Sequence, residues 1–119
     1  MKKLNDAQTK QLVEFIASYF VDNPEMVYHK TRKREVVDAR FVCFYVLRCF
    51  EFSYHEIANV FNCNHATVIN GIRQTQDTLF LDKTNRQIAA KSIAFTRKML
   101  KSCDFNKNLW LIVGLLLKK

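Results

Sequence analysis

The chain has 119 residues, enough for one hydrophobic core and too few for two ordinary domains. Hydrophobic residues make up 49% and charged residues 25%, but glycine occurs twice and proline once. That scarcity disfavours a turn-rich β fold and excludes the glycine-rich loops that cradle nucleotide phosphates, so ATP hydrolysis is not expected. The formal net charge of +8 points to an anionic partner, either nucleic acid or a membrane surface.

Met1-Lys2-Lys3-Leu4 begins as a signal peptide would, but Asn5, Asp6, Gln8, Thr9 and Lys10 stand where an apolar run is required, so a cytoplasmic setting is expected. Over residues 6–20, Leu12, Val13, Phe15, Ile16, Tyr19 and Phe20 cover one broad helical face, with Gln8, Lys10, Gln11, Glu14 and Ser18 mostly opposite. This spacing predicts a first helix. Asn23-Pro24 ends it, because proline cannot continue the hydrogen-bond ladder, although Pro24 is suited to open a short turn through Glu25, Met26 and Val27.

A basic cluster follows, Lys30, Arg32, Lys33, Arg34 and Arg40, diluted only by Glu35 and Asp38. Alone it would read as a solvated turn. Residues 36–50 are then apolar nearly all round, the mark of a central helix packed on several sides. A buried strand competes for so β-branched a run, but about fifteen residues without a turn signal is long for a strand. Cys43 and Cys49 lie inside it as small hydrophobes, and the four cysteines, at 43, 49, 63 and 103, form no Cys-x-x-Cys pair. They are read as reduced thiols, neither a zinc ribbon nor a redox motif. Arg48, near the end of this helix, suits the helix C-terminus electrostatically or can reach a phosphate.

Residues 53–73 read as two short helices joined by a tight turn. Ser53 with Glu56 three residues on is a capping box, and Ile57, Ala58, Val60 and Phe61 keep helical spacing behind it. Asn62 tolerates the left-handed backbone such a turn needs, and Asn64 is a favoured N-cap for the second helix. That helix has an apolar side of Val68, Ile69 and Ile72, and its first turn presents Asn64, His65, Ala66 and Thr67 outward. It is expected to continue towards Leu79 and Phe80. Asp82-Lys83-Thr84-Asn85 makes a polar break, with Thr84 or Asn85 as cap of a last amphipathic helix whose stripe is Ile88, Ser92, Phe95 and Met99, flanked by Ala89, Ile93, Thr96 and Leu100. Residues 109–117 form a nine-residue apolar run, well short of the roughly 20 residues that span a bilayer. The expected division is a helical unit over 1–103 and an apolar tail over 104–119 that packs back on it or contacts a second subunit or another protein.

Cys63 beside His65, or Ser53 beside His55, would need an orienting third group for nucleophilic catalysis, and none is suggested; Cys63 and His65 alone are too few donors for a metal site. No enzyme activity, metal or cofactor is expected.

Taken together, roughly residues 4–100 resemble the C-terminal DNA-binding domain of the bacterial replication initiator DnaA, a Trp-repressor-like helix-turn-helix unit, without the ATPase that precedes it there. Gln11-Leu12-Val13-Glu14-Phe15-Ile16 looks like the family's first helix, and Thr31-Arg32-Lys33-Arg34 like its basic loop. Ala39-Arg40 with Tyr45 and Arg48 matches its long central helix. Ser53-Tyr54-His55-Glu56-Ile57-Ala58 resembles a segment usually read Ser-Leu-Pro-Glu-Ile-Gly, and Asn64-His65-Ala66-Thr67-Val68 resembles the signature Asp-His-Thr-Thr-Val.

The resemblance implies an all-α fold, a compact helical domain with a helix-turn-helix and a basic loop before the long central helix. It implies that Asn64, His65, Ala66 and Thr67 read bases in the major groove of double-stranded DNA, and that Arg32, with Arg34 next, enters the minor groove. Arg40, Arg48, Tyr54 and His55 match phosphate-holding positions, and Lys30 and Lys33 join them by charge. Three departures matter. Asn64 replaces an acidic residue and can donate as well as accept, which would move a cytosine contact to adenine. Ala66 replaces a threonine and loses its hydroxyl. The turn is about one residue shorter, with Cys63 where the family has arginine. A word other than the initiator's own box is therefore expected, in stand-alone control of replication or transcription. The competing expectations are a protein-interaction adapter or antagonist of replication proteins, acting through the apolar tail, and a basic peripheral membrane protein.

Overall fold

Every α-helix except the one that begins at Arg34 starts where a short polar side chain covers a free backbone N–H. The computed structural model describes residues 4–100, with side chains through 96. In α1 (Asp6–Ala17) the Asn5 side chain accepts from the Gln8 N–H at 2.8 Å and the Gln8 side chain accepts from the Asn5 N–H at 3.1 Å, a capping box. The helix stops short of the expected Phe20. Tyr19 and Phe20 bond to the carbonyls three residues back, which tightens the last turn and folds Phe20 and Val21 onto the core ahead of Pro24. A 3₁₀ turn over Pro24–Tyr28 follows, with Asn23 accepting from the Glu25 N–H.

The remaining helices are α2 (Arg34–Cys49), α3 (Tyr54–Phe61), α4 (His65–Asp77) and α5 (Lys83–Leu100), and no strand occurs among the described residues. The fold is all-α. Residues 36–49 are helical, not a strand, because their apolar side chains are used round the whole circumference. Val36, Ala39, Val42, Cys43, Phe44, Val46 and Leu47 are buried, and α2 touches α1, α3, α4, α5 and the 3₁₀ turn. It is the axis on which the others pack.

α2 and α3 end in the same way. The Phe52 N–H reaches the Leu47 carbonyl at 3.3 Å and the Glu51 N–H reaches Arg48 at 3.0 Å; the Cys63 N–H reaches Ala58 at 3.0 Å and the Asn62 N–H reaches Asn59 at 3.4 Å. This paired pattern is the Schellman motif, which covers the carbonyls left open at a helix end and needs one left-handed residue. Asn62 supplies it at φ 52°, as its side chain suggested, and Glu51 supplies it at φ 69°, which nothing in its type foretold.

α4 lies against α2 through Val68, Gly71 and Thr75, and Thr75 satisfies its buried hydroxyl by donating to the Gly71 carbonyl at 2.8 Å. A methyl group on Gly71 would sit 2.7 Å from a ring atom of Phe41 and 2.7 Å from one of Phe44. Two further corrections concern this half of the chain. α4 ends at Asp77 and does not run to Phe80; Leu79–Leu81 forms a 3₁₀ turn instead, which buries Leu79 and sets Phe80 edge-on to Tyr45 at 4.8 Å. The start of α5 is covered not by Thr84 or Asn85 but by Asp82, whose carboxylate accepts from the Thr84 N–H at 2.9 Å. Asn85 donates to the Leu79 carbonyl, and Arg86 donates to the Phe80 carbonyl.

α5 closes the core along α1, with Ile88, Ala89, Ser92, Ile93 and Thr96 buried and Phe95 stacked on Phe15 at 4.4 Å. Ser92 and Thr96 tolerate burial by donating to carbonyls four residues back. The side chains of Met99 and Leu100, the apolar run at 109–117 and the expected boundary at 103 lie outside the described residues. No helix among the described residues is long and apolar enough to cross a membrane.

Candidate nucleic-acid interface

Local hydrogen bonds set the two helices of the motif. Ser53 and Glu56 form the expected capping box, at 2.9 and 3.1 Å, so α3 begins at Tyr54. Ile57, Ala58 and Phe61 bury its inner face. Asn62 turns the chain, and the Asn64 side chain then accepts from the Ala66 N–H at 2.8 Å to start α4. Because Val68, Gly71 and Thr75 hold one face of α4 down on α2, the opposite face is exposed, including Asn64, His65, Ala66 and Thr67. The cap uses one lone pair of Asn64 Oδ1, and the side chain still carries a second lone pair and its NH₂ group.

Exposure does not stop after the first turn. Asn70 and Arg73, four and seven residues after Ala66, are also exposed and share its face by helical arithmetic. That arithmetic would have found them from the sequence.

The basic loop, residues 29–33, is fastened from below. Arg40 reaches out of α2, donating from Nε to the Val27 carbonyl at 3.0 Å and from Nη2 to the His29 carbonyl at 2.6 Å. The Thr31 N–H bonds to the His29 carbonyl at 3.0 Å, and the Thr31 hydroxyl oxygen accepts from the Lys33 N–H at 3.3 Å. Arg40 is half-buried, and that burial lowers its pKa from the ordinary guanidinium value. Expected as a phosphate contact, it has a geometric role as well: two of its five N–H donors shape the loop. Lys30, Arg32 and Lys33 are exposed on that loop. Arg34 differs from Arg32, since it is the first residue of α2 and pairs with Asp38 one turn on at 3.6 Å.

Across from the loop stands the turn of the helix-turn-helix. An open cleft of about 620 Å³ separates them, walled on one side by residues 28–32 with Arg40 and on the other by residues 61–64 with Thr67. Tyr28 and Phe61 stack at 5.6 Å and join the two walls. Burial pushes the Tyr28 phenol up to about 12, with Cys43 adding to the effect, so the ring stays neutral. Burial also raises the Cys63 thiol, against the pull of the Arg40 charge. Residues more than thirty positions apart thus face each other, and neither Tyr28 nor Phe61 carries a sequence signal for this pairing.

At the other corner Arg48 donates from Nη1 to the Phe52 carbonyl at 3.0 Å and lies 4.8 Å above the Tyr54 ring, which braces the end of α2 against the start of α3. His55 and His65, from different helices, bring their rings to 4.6 Å. Among the described residues no three His, Cys, Asp or Glu side chains gather to hold a metal ion. Cys43, Cys49 and Cys63 are free thiols.

A second short helix whose first turn is exposed, seated on a first helix by a left-handed turn and flanked by a fastened basic loop, defines a helix-turn-helix DNA-binding domain. The family model described as the bacterial DnaA protein helix-turn-helix matches residues 9–75, from α1 into α4, and the chain belongs to that family. No solved structure matches it.

Proposed function

We propose that this domain binds double-stranded DNA with sequence preference, α4 entering the major groove by its N-terminal turn and Arg32 entering the adjacent minor groove. The observation that carries this is the cleft between the loop and α4. Adjacent grooves are separated by one sugar-phosphate strand, so two elements reading neighbouring grooves must leave a channel for that strand between them. Lys30, Arg32 and Arg40 line its basic side, and Lys33, exposed one residue further along the loop, would add a phosphate contact. Arg48 and Tyr54 would meet the strand on the far side of the major groove, and Arg34 supports Arg32 from the helix start. Asn64, His65, Ala66 and Thr67 choose the sequence, and the cationic groups supply most of the salt-sensitive affinity. No nucleotide or membrane takes part. The role is control of replication or transcription in the cytoplasm, where free thiols persist.

Selection of bound duplexes from a random library tests this reading. One recovered word should emerge, and binding to it should fall with salt at about −0.9 log units per phosphate neutralised, per log unit of salt. Binding that recovers no word, or no binding even at low salt, would refute it.

A further inference from the structure

We propose that His55 is a positioning residue for sequence reading: its ring holds the His65 imidazole in one orientation, so that the ring edge of His65 meets a single base pair. This rests on the reading of His65 as a base contact. The ring centroids lie 4.6 Å apart with planes inclined by 39°, and both residues are exposed. His55 is the second residue of α3 and His65 the first of α4. Both backbones are pinned independently of the ring contact, His55 between the two members of the Ser53–Glu56 capping box and His65 immediately after the Asn64 cap. Arg48 steadies the same corner through Phe52 and Tyr54.

An exposed side chain at a helix start samples several staggered rotamers. A ring anchored on another helix selects among them before DNA arrives, which removes part of the ordering cost of binding. Contact through a ring face leaves the edge, with Nδ1 and Nε2, available for hydrogen bonds to a base. The family segment that residues 53–58 resemble usually has proline at position 55, so the pairing belongs to this chain and not to the general pattern.

The experiment compares the full chain with His65→Ala, His55→Ala and His55→Phe. Each is titrated by fluorescence anisotropy against the duplex selected by the wild type and against a shuffled duplex, over a salt series. His55→Ala should lower the ratio of selected to shuffled affinity by about three- to tenfold. The loss should map to the base pair relaxed by His65→Ala, with the salt slope unchanged, and His55→Phe should restore the ratio by restoring a ring face. An equal loss on both duplexes with a shallower salt slope would identify a phosphate contact and overturn the proposal. So would an unchanged ratio in His55→Ala, or a phenylalanine variant no better than alanine. If the wild type selects no word, or His65→Ala keeps the full ratio, base reading by His65 itself fails and takes the proposal with it. His55→Phe keeps a ring at the same exposed position and serves as the folding control.

Discussion

Gly71→Ala should destabilise the domain even though alanine is the better helix former. The new methyl would lie 2.7 Å from Phe41 Cδ1 and 2.7 Å from Phe44 Cδ2, where ordinary carbon contacts fall at about 3.5–4.0 Å. About 1 Å must therefore be found at each ring. Phe44 has no room to give it, being fully buried and edge-on to Phe61 at 5.2 Å. Overpacking of this kind costs about 1–3 kcal/mol. The gain in helix propensity from glycine to alanine, about 0.8–1 kcal/mol, offsets part of it. Two rings are struck at once and one of them is fully buried, so the overpacking falls in the upper half of its range, about 2–3 kcal/mol. The net loss is about 1–2 kcal/mol, which for a domain of this size lowers Tm by roughly 5–15 °C. Any relief comes from lifting α4 off α2, so the affinity for the selected duplex should fall more than that for a random one. Thermal melting by circular dichroism and a duplex titration measure both effects. A Tm equal to or above that of the wild type would refute the reasoning, since it would mean that the close approach of α4 to α2 is not needed.

Asn64→Asp keeps the cap, because aspartate accepts from the Ala66 N–H equally well, and exchanges the outward NH₂ donor for an acceptor. Stability should hold while the preference at one base pair moves towards cytosine by about 1–3 kcal/mol, read by competition between duplexes differing at that pair; an unchanged preference would remove Asn64 from the base-reading set. Arg40→Ala frees the Val27 and His29 carbonyls, so amide exchange over residues 29–33 should speed up and selected and random duplexes should lose affinity alike. Arg40→Lys should not rescue it, because one ammonium on a flexible stem cannot hold both carbonyls in a fixed fork. Unchanged loop protection in Arg40→Ala would show that the loop holds its shape without it. At high pH the folded state should weaken: Tyr28 is raised from 10.0 to about 12 and Cys49 from 9.0 to about 12, each mainly by burial. A raised acid contributes stability that is complete below its unfolded pKa and lost as pH climbs through the folded value. Urea midpoints should therefore fall between about pH 9 and 12, and less so in Tyr28→Phe. A variant with the same alkaline slope as the wild type would place the effect elsewhere.

Much of the motif could be read from the sequence because its signals are local. The Ser53–Glu56 box, the left-handed turn at Asn62 and the Asn64 cap each depend on groups within three or four residues, so residue type and spacing sufficed. Periodicity marked the helices, and the resemblance of residues 53–58 and 64–68 marked the family. Where boundaries moved, packing had overruled periodicity: α1 stops before Phe20 so that Phe20 and Val21 can fold back, and α4 stops at Asp77 so that Leu79 can be buried. Only the tertiary structure showed Arg40 reaching back eleven to thirteen residues to shape the loop, Tyr28 stacked on Phe61 across the cleft, Gly71 seated against two phenylalanines, and His55 on His65. These contacts join separate elements and depend on how α3 and α4 are set on α2. The chain's chemistry was legible in advance; the orientation that turns it into an interface came from packing.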